Sequence, residues 1–414
     1  MKKKIFIVGG GFGGIRTALD LAKEVGIDTD IVLFSDKYHF EYYPTIYKAV
    51  IGKDPMEICI PLSEIFPVDD TLGKKVKIVI DKIVELNHGV KNIKGESGEV
   101  YEYDYLVLAL GSETVYFNIP NLKESSFGIK SIVEAVKLRD HLENMFVQAK
   151  KTEIKEEQVT NLHILVVGAG PSGVELSAVL SKYLKEKAKE YGIDVNLPTI
   201  DLIEASPSIL FALPEDLVRK IDKRLRSLGV NIFTNRALVN NEENEARLLD
   251  MTMQTKTVIW TAGMKVNSFY NSIEGVEIAK NSRVEVDQYL QMKNIENVFI
   301  IGDAANTPYS GLAQTAIYDA SFVARNILRK IKNKKLKIYE PKKVSYVIPV
   351  GSYWAAAKIG PMKIYGFLPH LIREFIDIMY FSSILPFGKV GKAFFSSFKK
   401  SKDCNDCKKC KKCD

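Results

Sequence analysis

Two glycine signatures of the same form, each set between an apolar run and a helical pattern, constrain this chain more than any other feature. Gly9-x-Gly11-x-x-Gly14 follows Lys4-Ile-Phe-Ile-Val8 and precedes a helical pattern through Leu19, Leu21 and Ala22. Gly168-x-Gly170-x-x-Gly173 follows Leu162-His-Ile-Leu-Val-Val167 and opens a long helix to about Tyr191. Short apolar runs of this kind suit buried parallel strands. The glycines permit a tight turn, close approach of a pyrophosphate and close helix packing, and the helix N-terminus offers free N–H groups and a partial positive charge. Each unit continues into a second strand that ends on an acid: Asp30-Ile-Val-Leu-Phe34 before Ser35-Asp36, and Ile200-Asp-Leu-Ile203 before Glu204. The expected fold is therefore α/β, with two Rossmann-like dinucleotide-binding domains.

The acids indicate what each unit holds. Asp36 is placed to bond ribose hydroxyls, although Ser35 competes for the ribose-facing position. Glu204 repels a 2′-phosphate, and no Arg or Lys follows it before Arg219, so NADH is preferred to NADPH. Further apolar strands stop where backbone can approach a ligand: Val76 to Leu86, Tyr105 to Leu110 before Gly111, Val258 to Ala262 before Gly263, and Asn297 to Ile301 before Gly302-Asp303. Residues 1–115 with 266–335 are read as the first domain and 116–265 as the second, inserted in it. A C-terminal region, 336–400, and a tail, 401–414, close the chain. Two sites in one chain imply a flavin dinucleotide in the first and a nicotinamide dinucleotide in the second.

Charge is concentrated at the C-terminal end. Of a net charge of +7, residues 387–414 carry nine Lys and three Asp, so +6 lies in the last segment and +1 in the rest. Upstream, Phe367 to Phe381 spaces His370, Arg373, Glu374 and Asp377 at helical intervals among apolar residues. With Phe394, Phe395, Phe398 and the lysines, this reads as an interfacial anchor on an anionic membrane surface, or else as an ordinary dimer or core helix. No apolar stretch here reaches the roughly 18 residues of a spanning helix, and no cleavable signal is evident, so an intracellular protein is expected. Cys59 stands alone among apolar neighbours and reads as a core residue. Cys404, Cys407, Cys410 and Cys413 have ligand-like spacing but no apolar residues to enclose a cluster; a flexible thiol-rich tail is the preferred reading and no metal site is expected.

An ordered set of motifs resembles the type II NADH dehydrogenases, the non-proton-pumping NADH:quinone oxidoreductases among flavoproteins with two dinucleotide-binding domains. The set comprises the first fingerprint, His39 with Tyr43-Pro44-Thr-Ile-Tyr47 and Gly52, Pro61-Leu62, Leu-Ala-Leu-Gly111-Ser, Gly173-Val-Glu175-Leu, Trp260-Thr-Ala-Gly263, Ile301-Gly302-Asp303-Ala and Ala313-Gln314-Thr-Ala316. The resemblance spans about 4–335, with a looser match beyond. It implies FAD as cofactor, NADH as substrate, a quinone acceptor, and a peripheral position on the cytoplasmic face of the membrane through the C-terminal region. Nucleic acid is not an expected partner, and a homodimer stays open.

Asp303 is expected to bond the flavin ribityl while the following helix N-terminus points at the ring. Glu175, in the first helical turn after Gly173, is expected beside the nicotinamide and flavin, or else serves only as a helix-start carboxylate. Gln314 belongs to the family's quinone motif, whose second glutamine is Tyr318 here. Tyr318 either lines the same pocket or packs on its helix, which keeps open a non-quinone acceptor, an iron-sulfur protein or a thiol, and a redox-dependent binding flavoprotein. Disulfide reductases and sulfide:quinone oxidoreductases are disfavoured, because Cys59 has no partner at redox spacing.

Overall fold

The computed structural model describes residues 2–68, 71 and 75–385. The aromatic and lysine-rich tail and its four cysteines lie outside the described residues.

The first unit begins with β1 (Lys3–Val8), α1 (Phe12–Glu24), β2 (Thr29–Ser35), β3 (Val76–Ile80) and β4 (Tyr105–Leu108). The second places β5 (His163–Val167), β6 (Thr199–Ile203), β7 (Val230–Phe233) and β8 (Thr257–Trp260) in one sheet, in the order β7-β6-β5-β8. The chain then returns to the first sheet with β9 (Val298–Ile300), giving the order β9-β4-β1-β2-β3. Both sheets are parallel throughout. Their strands are apolar on both faces, since each sheet is covered on one side by helices and on the other by an antiparallel three-stranded meander: Ile5 and Ile7 pack on the helical side while Phe6 and Val8 meet Ile83, Leu86 and Ile93, and Leu165 and Val167 meet Leu238, Ala246 and Leu248.

Two helices dominate the packing around the sheets. The pair α1 and the long helix Ala313–Ile331 lie against each other through Leu19, Ala22, Ala320 and Ile327. In the second unit, a helix over Ile132–Lys151 starts with a capping box between Ser131 and Glu134, and a 21-residue helix over Pro171–Tyr191 ends on Gly192 in the left-handed conformation. In chain order we call these α2 (Ile132–Lys151), α3 (Pro171–Tyr191) and α4 (Ala313–Ile331).

Val76 to Leu86 is not one strand. The chain bends at Asp81 and Lys82, leaving β3 in the parallel sheet, and Ile83–Asn87 starts a separate antiparallel meander with Asn92–Gly95 and Val100–Glu102. The bend is held by Asp81, whose carboxylate accepts from the Ser97 amide and hydroxyl. Apolar content alone does not reveal such a break within a run.

The described C-terminal part is a three-stranded antiparallel sheet, Tyr346–Pro349, Ala355–Ile359 and Met362–Gly366, followed by α5 (Phe367–Ile384). No described helix is long and apolar enough to cross a membrane. An antiparallel ribbon pairing Ser112–Thr114 with Met264–Val266 joins the two units where β4 and β8 end.

Candidate active site

In both sheets the order reverses at the central strand, β1 beside β4 and β5 beside β8, and such a switch point opens a crevice at the carboxyl ends of the strands. At the first, Gly9 has φ +118°, and a Cβ there would strike the carbonyl of Ala109 just past β4. Gly14 lies against the Gly9 carbonyl, whereas Gly11 faces open space. The second unit repeats the arrangement: Gly168 packs on Ala262 past β8, Gly173 on Gly168, and Gly170 is open. One glycine of each trio thus leaves room for a ligand while the other two bring helix and strands together. Neither α1 nor α3 has a side-chain cap, so their first-turn amides remain available to an anion.

A cavity of about 1100 Å³ fills the first crevice and reaches the second unit. Gly9, Gly11, Asp36, Gly111, Gly302 and Asp303 line it on the first side, and Glu175 and Gly263 on the second. Gln314 closes one wall. Gly14, Gly168, Gly170, Gly173, Glu204 and Tyr318 are not among its lining residues.

Ser35 is taken up by its own turn, accepting from the Lys37 amide at 3.1 Å and donating to the Lys37 carbonyl at 2.7 Å. Asp36 is left as the acid at the cavity edge. Glu204 braces the second fingerprint: one carboxylate oxygen accepts from the Ala169 amide and the other from the Ser206 amide, each at 2.8 Å. This bracing was not legible in the sequence.

Asp303 does not lead straight into a helix. It sits in a short 3₁₀ turn, Gly302–Ala304, and α4 starts at Ala313 after an intervening loop. The Gly302 amide, at φ +72°, donates to Asp319 Oδ2 at 3.1 Å, and the Tyr339 hydroxyl donates to Asp319 Oδ1 at 2.6 Å. Burial pushes the Asp319 carboxyl up to about 6, with those two bonds opposing the shift.

Gln314 and Tyr318 do share one face of α4, but that face holds a strap. The Gln314 amide donates to the Ser345 carbonyl at 2.7 Å, and the Tyr318 hydroxyl donates to the Glu340 carbonyl at 2.9 Å. Lys342 lies over the Tyr318 ring. Of the two readings of Tyr318, packing on its own helix fits this arrangement: its phenol bonds the strap, and Ile317 takes the adjoining place in the cavity wall.

The floor of the cavity was missed by sequence reasoning. Arg373 of α5 lines it, donating to the Pro44 carbonyl at 2.9 Å and lying 3.5 Å from Asp377. Asp377, 4% exposed, accepts from the Tyr42 hydroxyl at 2.5 Å. Facing them, Glu175 is pushed up to about 7, chiefly by burial and further by Asp377, while Arg373 and Lys48 pull it down. A carboxyl poised near neutrality inside a cleft is suited to proton transfer.

Cys59 is buried, and burial pushes its thiol up to about 12, so it is a core residue without thiolate character. Among the described residues His39, Glu41 and Cys59 place ligand-type atoms within 4.8 Å of one another, but Lys37 already sits 3.0 Å from Glu41 and supplies the cation.

A model of the family "pyridine nucleotide-disulphide oxidoreductase" matches residues 3–320. The chain belongs to this family. Within it, the chain is 28% identical over 408 residues to a type II NADH:quinone oxidoreductase of Staphylococcus haemolyticus, covering 95% of this chain and 98% of that one. The Staphylococcus aureus enzyme of the same name is also 28% identical, over 407 residues. NDH2 from Plasmodium falciparum, solved in complex with NADH, superposes with a TM-score of 0.86 at 19% identity, covering 96% of this chain and 98% of that one. The sulfide:quinone oxidoreductase of Aquifex aeolicus has the same fold, with a TM-score of 0.76 at 20% identity and 98% coverage of both chains. The family's name refers to disulfide chemistry, which buried Cys59 does not carry.

Proposed function

We propose that this chain is an FAD-dependent NADH:quinone oxidoreductase, catalysing NADH + H⁺ + quinone → NAD⁺ + quinol. The observation that carries the reading is the single cavity on which both dinucleotide units open, floored by a helix whose outer side is apolar. The site fits FAD: an open Gly11 beside the uncapped α1, Asp36 for a ribose, and Asp303 with Gly302 further along. FAD, when bound, supplies the two-electron carrier between donor and acceptor.

The chain's own residues bind, orient and move protons. Gly168, Gly170, Gly173 and the first turn of α3 hold the NADH pyrophosphate, and Glu204 selects an unphosphorylated ribose. Gly263, Gly111 and the ribbon joining them let the two ligands meet at the shared end of the cavity. Glu175, raised toward neutrality by burial, delivers a proton toward the quinone, with Arg373 and Asp377 adjusting its affinity for that proton. Gln314 holds the strap that forms the acceptor-side wall.

Helix α5 supports peripheral attachment. Arg373 and Asp377 turn inward, while Phe367, Leu368, Leu371, Phe375 and Met379 are 47–60% exposed on the outside. A helix with a row of apolar residues outward and its buried ion pair inward suits a lipid surface. A quinone dissolved in that lipid is then adjacent to the cavity floor, and NADH reaches the opposite side from the cytoplasm.

Purified protein should show a flavin spectrum that NADH bleaches and a short-chain quinone restores. NADH bleaching without restoration by any quinone would refute the acceptor, and the absence of bound flavin would refute the whole reading.

A further inference from the structure

We propose that Lys130 stabilises the negative charge that reduction places on the flavin ring, through an ammonium group facing the cavity. Lys130 precedes α2, and its backbone is fixed by that helix's capping box, the Glu134 carboxylate accepting from the amides of Lys130 and Ser131. Its Nζ donates to the Ser112 hydroxyl at 2.8 Å and touches the Met264 sulfur at 2.7 Å. Both groups are neutral. Ser112 in turn donates to Asp303 Oδ2 at 2.9 Å. Asp303, Glu134 and Glu113 act on the ammonium only from a distance, and burial pushes its pKa down to about 8.

A half-buried ammonium whose direct partners are neutral bears a desolvation cost that an arriving anion offsets. Lys130 lines the cavity, so such an anion belongs to the bound cofactor. Its position selects which part. The pyrophosphate end is the Gly9–Gly11 turn and the N-terminus of α1, whereas Lys130 is tied to Ser112, Met264 and Asp303, where β4 and β8 both end. That is the end shared by the two units, where electrons pass from one ligand to the other. A fixed cation there favours the reduced, more negative cofactor over the oxidised one.

The inference rests on the FAD reading above. Its test is the two-electron midpoint potential of the holoenzyme, measured by dye-coupled reduction, in Lys130→Met and Lys130→Arg. Lys130→Met should keep its flavin and lose about tenfold in preference for the reduced cofactor, a fall of about 30 mV for two electrons. Lys130→Arg should hold the native potential. An unchanged potential in Lys130→Met overturns the inference. So does an equal fall in Lys130→Arg, which would mark a packing role, or loss of FAD from Lys130→Met, which would place the ammonium on the cofactor's permanent charge. A native protein without flavin would instead defeat the functional reading itself.

Discussion

Replacing Glu175 by Gln removes a proton donor while keeping its shape, and the structure gives the size of the effect. The carboxyl is raised to about 7, mainly by burial, so the proton is held to higher pH than in an ordinary glutamate and is lost as pH rises through about 7. About nine-tenths of the group is protonated at pH 6 and about one-thirtieth at pH 8.5, so a step that needs the proton slows about thirtyfold across that range. Gln cannot donate a proton. At pH 6 the variant should reoxidise its flavin about a hundredfold more slowly, the lower end of what general acid catalysis contributes, and its rate should be nearly flat with pH. The assay is stopped-flow: enzyme reduced with one equivalent of NADH is mixed with a short-chain quinone at pH 6 to 9. An unchanged pH profile in Glu175→Gln would show that another group supplies the proton. Slowing of the NADH half-reaction alone would move Glu175 to the nicotinamide side.

Glu204→Arg loses two bonds to the fingerprint loop as well as its charge. It should raise the KM for NADH at least tenfold, about 1.4 kcal/mol, and shift preference toward NADPH; steady-state kinetics with both donors checks this. Leu371→Glu with Phe375→Glu should abolish sedimentation with anionic vesicles while leaving flavin content intact, since burying two such side chains is worth about 3–6 kcal/mol. Deleting α5 is a poorer test, because it also removes Arg373 from the cavity floor and Asp377 from beside it. Tyr318→Gln should leave quinone turnover within about twofold and cost about 1 kcal/mol of stability through the lost bond to the Glu340 carbonyl, read by thermal unfolding. Gln314→Ala should change the quinone KM instead, because the wall it holds lines the cavity.

What was legible in the sequence is what local backbone chemistry determines. The glycine trios, the strands before them and the acid after each second strand all reappear, because a tight turn beside a neighbouring strand admits few residues. Helix α5 was legible as a helix, yet its direction was not. Periodicity shows that Arg373 and Asp377 share a face but not whether that face meets water or protein. Only Tyr42 and Pro44, more than 320 positions earlier, settle that it turns inward. Lys130 and Asp319 were overlooked for the same reason: their partners, Ser112 and Tyr339, are brought to them by the fold. An isolated charge within an apolar stretch, Phe-Gly-Ile-Lys130-Ser-Ile, was the signal present in the chain.

Donor and acceptor are expected to react in turn at one flavin. Anaerobic titration tests it directly: one equivalent of NADH should bleach the flavin completely, and one equivalent of menaquinone or ubiquinone analogue should restore the full spectrum with quinol formed in equal amount. Restoration by ferredoxin or a disulfide but by neither quinone would show that the acceptor is not a quinone.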